Sequence, residues 1–107
     1  MAKIICIVMS GEKQRVNMSL AFTKKMKEDG NEMRILFWGP SEKLIAEDEE
    51  IRNKVKDASS LLHPKAYMNF VKNMNIDSSI LEESMELLPA ATYIAKSVDE
   101  GYTTLTF

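Results

Sequence analysis

The chain has 107 residues, of which 45% are hydrophobic, and this is the usual size of one domain with one core. Its 14 basic and 16 acidic residues give a net charge of −2, so no overall positive field is available to hold a nucleic-acid backbone. A single cysteine excludes an intrachain disulfide and a thiolate metal cluster built by one chain. We therefore expect one domain over residues 1–107, with no nucleic-acid partner, no metal and no cofactor.

The amino-terminal segment is too short for a targeting or membrane signal. Between Lys3 and Ser10 lie only six apolar or small residues, Ile4 to Met9. A signal-peptide core or a membrane span requires more. Together with the single unpaired cysteine, this predicts a cytoplasmic protein without membrane contact.

The apolar pattern of the first half predicts two buried strands with a helix between them. Lys3 to Met9 and Met33 to Trp38 are apolar runs of the kind found in strands that are buried on both faces of a parallel sheet. Lys13 to Asp29 has helical periodicity and ends at Gly30, a typical C-terminal cap. The residues predicted to form its inward face are Val16, Met18, Leu20, Ala21, Phe22 and Met26.

The second half predicts a series of shorter elements. Ser41 is a good N-cap for a broken helical segment, and Pro64 argues for an edge strand or an irregular segment over Ser60 to Ala66. Pro89 suits the first position of a last helix that ends at Gly101, with Ala91, Ile94 and Val98 facing inward. The predicted elements are helices at Ser41 to Ala46, Asp48 to about Ala58, Tyr67 to Met74 and Ser78 to Glu83, and strands at Met85 to Leu88 and Tyr102 to Phe107.

The alternation of strands and helices predicts the fold class. Five strands connected through helices require right-handed crossovers, which place the strands in a parallel arrangement. We therefore expect a three-layer α/β/α sandwich, flavodoxin-like, around a mostly parallel five-stranded sheet.

Three segments of the sequence are similar to the DsrE/DsrF (YchN-like) family of sulfur-relay proteins. The first strand ends in Ser10-Gly11, and the second runs through Phe37-Trp38-Gly39-Pro40 into Ser41-Glu42-Lys43-Leu44-Ile45-Ala46-Glu47. The chain closes on Glu100-Gly101-Tyr102-Thr103-Thr104-Leu105-Thr106-Phe107. Because the three segments occur in the family's order and spacing, the chain resembles a DsrE-like domain over nearly its whole length. The resemblance implies the fold already expected and a trimer or hexamer.

The cysteine on which the family's chemistry depends is absent from its expected position. The resemblance places it at the end of the third strand, after an alanine, with a Gly-Ile or Gly-Val pair after the next helix. Aligning that pair with Asn75-Ile76 puts Ala66 and Tyr67 on the Ala-Cys positions, and a second cysteine of related proteins would fall on Phe70. The chain therefore resembles a divergent member in which Tyr67 replaces the persulfide-carrying cysteine.

Two other residues could carry chemistry in principle. Cys6 lies in the middle of an apolar strand, where a thiolate is poorly solvated, so we expect a buried and unreactive thiol. His63 precedes Pro64 without a matched cysteine, serine or carboxylate, so a loop or edge position is the simpler interpretation. The acidic run Glu47 to Glu50 lies along one helix start and does not converge into a metal site. No residue is predicted to be catalytic.

The topology predicts a ligand site, in the form of a concave pocket, at the carboxyl ends of the first three strands. In open parallel sheets, ligands bind at this edge, where strand order reverses and helix N-termini attract small anions. The alternative is that the aromatic side chains there pack against the sheet or another subunit. The candidate ligand-binding residues, which we call the rim, are Ser10, Gly11, Trp38, Gly39, Ser41, Tyr67 and Asn69.

These observations lead to one functional hypothesis and two alternatives. The first is a DsrE-like protein of sulfur-relay type that acts as a non-catalytic subunit or small-ligand binder in a homo-oligomer, with Trp38, Tyr67 and Phe70 near the contacts. The second is a sulfur carrier or sulfurtransferase-like enzyme that uses another residue, such as Tyr67, His63 or Cys6. The third is a structural partner in a mixed oligomer with a related DsrE-like subunit.

Overall fold

The computed structural model describes all 107 residues as five strands and six helices. None of the helices is long and apolar enough to cross a membrane. The strands are β1 (Lys3–Val8), β2 (Glu32–Phe37), β3 (Lys65–Tyr67), β4 (Glu86–Leu88) and β5 (Thr103–Thr106). The helices are α1 (Lys13–Glu28), α2 (Pro40–Glu47), α3 (Glu49–Leu62), α4 (Met68–Asn73), α5 (Ser78–Glu82) and α6 (Ala90–Asp99).

The five strands form one sheet in the order β4-β3-β2-β1-β5, and every neighbouring pair is parallel. The expected α/β class with a parallel five-stranded sheet is confirmed. Register pairs Cys6 with Ile35 and with Leu105, so Cys6 lies in the middle of the central strand. Steps from β1 to β4 move across the sheet one strand at a time, and only the step into β5 crosses back to the other edge.

Right-handed crossovers then determine which face each helix covers. Helices α1 to α5 connect β1 through β4 and cover one face, where the main core contains Cys6, Phe37 and Ala66 together with Val71 of α4 and Leu81 of α5. Helix α6 makes the return step and covers the opposite face, above Arg34 of β2. The helix after β3 and the helix after β4 lie on opposite faces of the sheet. The topological switch point, where the connections change face, therefore lies between β3 and β4.

The inward face of α1 differs from the prediction. Val16, Ser19, Leu20 and Thr23 are buried, whereas Met18 is 57% exposed and Ala21 is also exposed. Ser19 and Thr23 pack inward because their hydroxyls donate to backbone carbonyls within the helix, at 2.7 Å each, which satisfies them without water. The expectation for Met18 and Ala21 was wrong because helical periodicity locates a stripe but not its angular centre.

Helix α6 also presents a different face from the predicted one. Ala90 and Ser97 are buried, Ile94 is half-buried, and Ala91 and Val98 are exposed, the latter by 52%. The physical reason is Arg34, which the sheet presents to this helix. Its guanidinium donates to the Ser97 hydroxyl at 2.9 Å, so a polar residue faces inward where the apolar pattern favoured Val98.

Several helix boundaries differ from the predicted ones by a few residues. Ser41 was expected to be an N-cap, but α2 begins one residue earlier, with Gly39 as the cap and Pro40 in the first helical position. Helix α3 starts at the Asp48 cap, whose carboxylate accepts from the Ile51 amide, and extends to Leu62, beyond the expected end. Similarly, Pro89 is the N-cap of α6 and lies just outside its first turn.

Candidate functional site

The rim lies at the edge of the sheet where β1, β2 and β3 end. Because neighbouring strands are parallel, their carboxyl ends meet at one edge, and the Trp38 amide donates to the Val8 carbonyl at 3.0 Å across that edge. The backbone therefore brings the three predicted βα turns together: Ser10 and Gly11 after β1, Trp38 to Ser41 after β2, and Tyr67 with Asn69 at the end of β3.

Trp38 and Tyr67 contact each other at the centre of the rim. They follow Phe37 and Ala66, which are paired across β2 and β3 and face the main core, so alternation points both rings to the opposite face. Their ring centroids are 5.5 Å apart at an interplanar angle of 70°, a favourable edge-to-face arrangement. The two aromatic side chains therefore occupy the space beside the β3–α4 junction.

Asn69 extends the aromatic pair toward solvent. Its side-chain amide donates to the Tyr67 hydroxyl at 3.3 Å, and Asn69 itself is exposed. The phenol and the amide thus form a polar group of donors and acceptors at the outer side of the rim. A ligand that replaced solvent here would meet these two side chains and the partly exposed indole of Trp38.

Ser41 and Gly11 hold the first two turns together. The buried Ser41 hydroxyl donates to the Val8 carbonyl at 2.5 Å, and its amide points to the Met9 carbonyl at 3.3 Å. A Cβ added to Gly11 would lie 3.1 Å from the Pro40 Cβ, so only glycine allows this close approach without a shift. The Ser41 hydroxyl is already engaged, so its role is to fasten α2 to the end of β1.

Ser10 stabilises the turn after β1, and no cavity lies over the rim. Its Oγ accepts from the Glu12 amide at 3.0 Å, and its amide donates to the Phe107 carbonyl at 3.2 Å. We expected a concave pocket over the rim. The three cavities of the surface, of about 430, 290 and 260 Å³, lie elsewhere and include none of the rim residues. The rim is therefore an open surface whose centre is filled by the two rings.

A buried carboxyl group lies directly beneath the rim and was not anticipated from the sequence. Glu42, in the first turn of α2, is 0% exposed, and its Oε1 accepts from the Gly39 amide at 2.9 Å. Its Oε2 is buried and has no hydrogen-bond partner. Because an unpaired buried acceptor is costly, this oxygen is the most unusual polar atom near the rim.

The environment of Glu42 favours its neutral form. Burial raises the pKa of the Glu42 carboxyl from 4.5 to about 7. The Gly39 amide, which donates to Oε1, acts in the opposite direction, as does the nearby Tyr67 amide, which lies outside hydrogen-bond geometry. The positive end of α2 also favours the carboxylate, by an amount typically about 1 kcal/mol, so desolvation is the larger effect. The carboxyl therefore changes its charge near neutral pH, between the turns that carry Trp38 and Tyr67.

The signal for Glu42 was present in the sequence but admitted a different interpretation. A glutamate three residues after a helix cap commonly reaches back to the cap amide, and Gly39 with Pro40 marked the helix start. Charged residues at such positions are usually exposed, which is why the pattern did not indicate burial. What buries Glu42 is packing between α2 and the ends of β2 and β3, a tertiary property.

The two other candidates for chemistry lie away from the rim. Cys6 is 0% exposed, and burial raises the pKa of its thiol, with a contact to Thr23 opposing the shift. The expected burial of this thiol is confirmed. His63 is the C-cap of α3 in the left-handed conformation, with φ of 46°, and is exposed in the loop before β3. No three His, Cys, Asp or Glu side chains converge to hold a metal ion.

Comparisons with known proteins identify the fold and no more. The sequence matches no family model and no curated protein. A conserved protein of unknown function from Bacteroides thetaiotaomicron is similar over 98% of this chain and 95% of its own, with a TM-score of 0.82 and 17% identity. A protein of unknown function from Methanobacterium thermoautotrophicum is similar over 100% of both chains, with a TM-score of 0.83 and 14% identity.

Proposed function

We propose that this chain is a DsrE-like protein of the sulfur-relay type that has lost its sulfur-carrying cysteine. In this proposal it acts as a non-catalytic, small-ligand-binding subunit of an oligomer. The observation that carries the proposal is the position of Tyr67. It stands at the junction of β3 and α4, where the family resemblance places the cysteine, and its ring packs against Trp38.

The only thiol of the chain supports the non-catalytic assignment. A sulfur carrier needs an accessible thiolate that can attack a sulfur donor and release the sulfur to an acceptor. Cys6 has neither property, because it is 0% exposed in the central strand and burial raises the pKa of its thiol. His63 is exposed but has no nucleophile beside it, so neither Cys6 nor His63 supports the sulfurtransferase alternative. Tyr67 could serve that alternative only as an acid–base group, since a phenol does not carry sulfur.

The rim is the proposed place of ligand binding. Within it, Trp38, Tyr67 and Asn69 offer accessible aromatic and polar surface, whereas Gly39 and Ser41 are buried and hold the turn. The amides at the α2 N-terminus are already engaged, since that of Gly39 donates to Glu42 and that of Ser41 to the Met9 carbonyl, so the accessible side chains provide the proposed contacts. A ligand that bound here would contact the indole and the Tyr67 hydroxyl and would rest against the turn after β1.

Substituting Tyr67→Cys tests the proposed loss of function. The substitution removes the ring and places a thiol at the family position, so incubation with inorganic polysulfide should add one sulfur atom to this variant. The thiolate attacks a polysulfide S–S bond, takes one sulfur and releases the shortened polysulfide. We expect intact-protein mass spectrometry to show this addition in Tyr67→Cys and none in the parent chain, whose thiol is buried.

A second thiol variant separates a specific position from mere exposure. Asn73→Cys places an exposed thiol at the far end of α4. Faster loading of Tyr67→Cys than of Asn73→Cys supports the assigned position. Equal loading of the two variants, or loading of the parent chain, would contradict the proposal, and the second outcome would favour a sulfur carrier that uses Cys6.

We also expect the chain to form a homo-oligomer. The edge strand β5 is exposed along its length, and apolar side chains near it are accessible, including Leu105 at 39% and Met9 at 43%. An exposed edge with apolar side chains gains stability when another chain covers it. Sedimentation at micromolar concentration should give a mass above the 12.2 kDa of one chain, and a monomeric mass would contradict this expectation.

A further inference from the structure

A cavity of about 290 Å³ lies at the amino end of the sheet, opposite the rim, and no acidic residue lines it. The starts of β2 and β3, the ends of α1 and α3, and the side of α6 surround it. We call it the basic cavity. Its polar lining consists of Lys27, Arg34, His63, Lys65, Tyr93 and Lys96.

The charges at the basic cavity are only partly compensated. Arg34 pairs with Glu100 at 3.2 Å, and Lys65 pairs with Glu86 at 3.3 Å. Neither Lys27 nor Lys96 forms an ion pair within 4.0 Å. Two lysines without an ion pair therefore line one concavity, although the protein as a whole carries a net charge of −2. Lys96 also lies near enough to Glu100 to help lower the pKa of that carboxyl.

Arg34 is fixed before any ligand arrives. Its guanidinium donates to both carboxylate oxygens of Glu100, at 3.3 and 3.2 Å, and to the Ser97 hydroxyl at 2.9 Å. It also lies 4.1 Å from the centroid of the Tyr102 ring. Because these contacts already order the guanidinium, it loses little conformational entropy when it binds an anion.

The apolar part of the cavity lies beside these charges. Leu61 and Leu62 at the end of α3 and the half-buried ring of Tyr93 contribute to its wall. The volume lies just below the usual range of small-molecule sites, which limits the cavity to a compact ligand. The cavity therefore combines unpaired positive charge with a small apolar surface, which suits a compact molecule that carries both features.

The helices that end at this cavity give its lysines a second role. Lys27 and Lys96 lie in the last turns of α1 and α6, where a cation stabilises the helix dipole by about 0.3–1 kcal/mol. Dipole stabilisation alone does not require that the two lysines line one cavity together with Arg34 and Tyr93. The two roles are separable because one affects the stability of the fold and the other affects binding.

We propose that the basic cavity binds a small phosphate monoester that carries a compact apolar group. A monoester has close to two negative charges at neutral to mildly basic pH, which matches the two lysines that form no ion pair. Its apolar group packs against Tyr93 and the leucines. This site is separate from the rim and does not depend on the function proposed for it.

Calorimetric titration with phenyl phosphate at pH 8 and low ionic strength tests the proposal. We expect saturable binding at one site per chain, weaker binding of inorganic phosphate because it lacks the apolar group, and no binding of phenol. Lys27→Gln and Lys96→Gln should each weaken phenyl phosphate binding by about tenfold, the effect of one lost charge-assisted contact.

Lys24→Gln is the matched control. It removes the same charge from the same helix three residues earlier, but Lys24 lines the α1–α3 groove and not the basic cavity. Its phenyl phosphate affinity should equal that of the parent chain. Absence of saturable binding to the parent chain at millimolar phenyl phosphate would overturn the proposal. So would equal weakening by Lys24→Gln, or cavity variants that lose stability and keep their affinity.

Discussion

Replacing Glu42 with glutamine should make the protein more stable at pH 8 by about 3–4 kcal/mol and leave its stability at pH 4.5 nearly unchanged. Burial raises the pKa of this carboxyl from 4.5 to about 7 in the folded chain. The difference of about 2.5, at about 1.4 kcal/mol for each pKa unit, gives the expected magnitude. Glutamine has the shape of the neutral carboxyl and keeps an oxygen that accepts from the Gly39 amide.

The sign follows from the number of protons that each state binds. Between pH 4.5 and 7 the folded chain keeps the Glu42 proton and the unfolded chain loses it. Unfolding therefore releases a proton, and this group's contribution to stability falls as the pH rises. The contribution levels off about one pH unit above 7, where Glu42 is ionised in both states. The parent chain should lose this stability over that window, and Glu42→Gln should not.

Other carboxyl groups make the folded chain more stable as the pH rises through the acidic range. Their effect cancels when the pH profile of Glu42→Gln is compared with that of the parent chain. The Ile51 amide and Lys13 lower the pKa of Asp48, and Arg34 lowers the pKa of Glu100, so both groups stabilise the folded state as they ionise. Their contribution is common to the parent chain and the variant. The difference between the two pH profiles therefore isolates Glu42.

Urea unfolding followed by the fluorescence of Trp38, the only tryptophan, measures these free energies. The matched control is Glu47→Gln, which removes an exposed carboxylate from the same helix and should give a profile parallel to that of the parent chain. A Glu42→Gln profile parallel to that of the parent chain from pH 4.5 to 8 would contradict the prediction. It would mean that the buried carboxyl is ionised throughout this range, so that burial does not raise its pKa.

The sheet was predictable from the sequence because its signals are local. Two apolar runs, Ile4 to Met9 and Met33 to Trp38, can be stable only where both faces of a strand are covered, and they became the central strands β1 and β2. The rim followed from the same logic, since parallel strands must end at one edge. The same logic predicts that Trp38 and Tyr67 lie at one edge, and their ring centroids are 5.5 Å apart.

The inward face of α6 and the burial of Glu42 depend on contacts between distant parts of the chain. Val98 has the apolar character of a core residue, but Arg34 lies beneath α6 and selects Ser97 for the inward position. Glu42 has the character of a surface residue, but α2 packs it beneath two strand ends. In both cases the decisive partner is remote in sequence, so the pattern around the residue contained no sign of it.

Replacing Gly39 with asparagine should destabilise the protein by about 2 kcal/mol, the usual cost of a residue in a disallowed backbone region. Gly39 has φ of 90° and ψ of −131° at the start of α2. Asparagine tolerates the left-handed helical region but not this combination, which is open only to glycine. Gly39 follows Trp38 directly, and its amide donates to Glu42. Strain introduced at this position therefore acts on the turn beneath the rim.

Gly30→Asn gives the comparison that identifies the cause. Gly30 also has a positive φ, 93°, but it follows α1 in a Schellman motif, in which the Asn31 amide donates to the Met26 carbonyl at 3.0 Å. Asparagine is the second choice of proteins at such positions, so this variant should lose less than about 1 kcal/mol. The same urea titration measures both variants, and Trp38 emission should shift to longer wavelength only in Gly39→Asn, as the contact with Tyr67 loosens. Equal losses for the two variants would show that positive φ alone sets the cost and that the turn beneath the rim carries no special constraint.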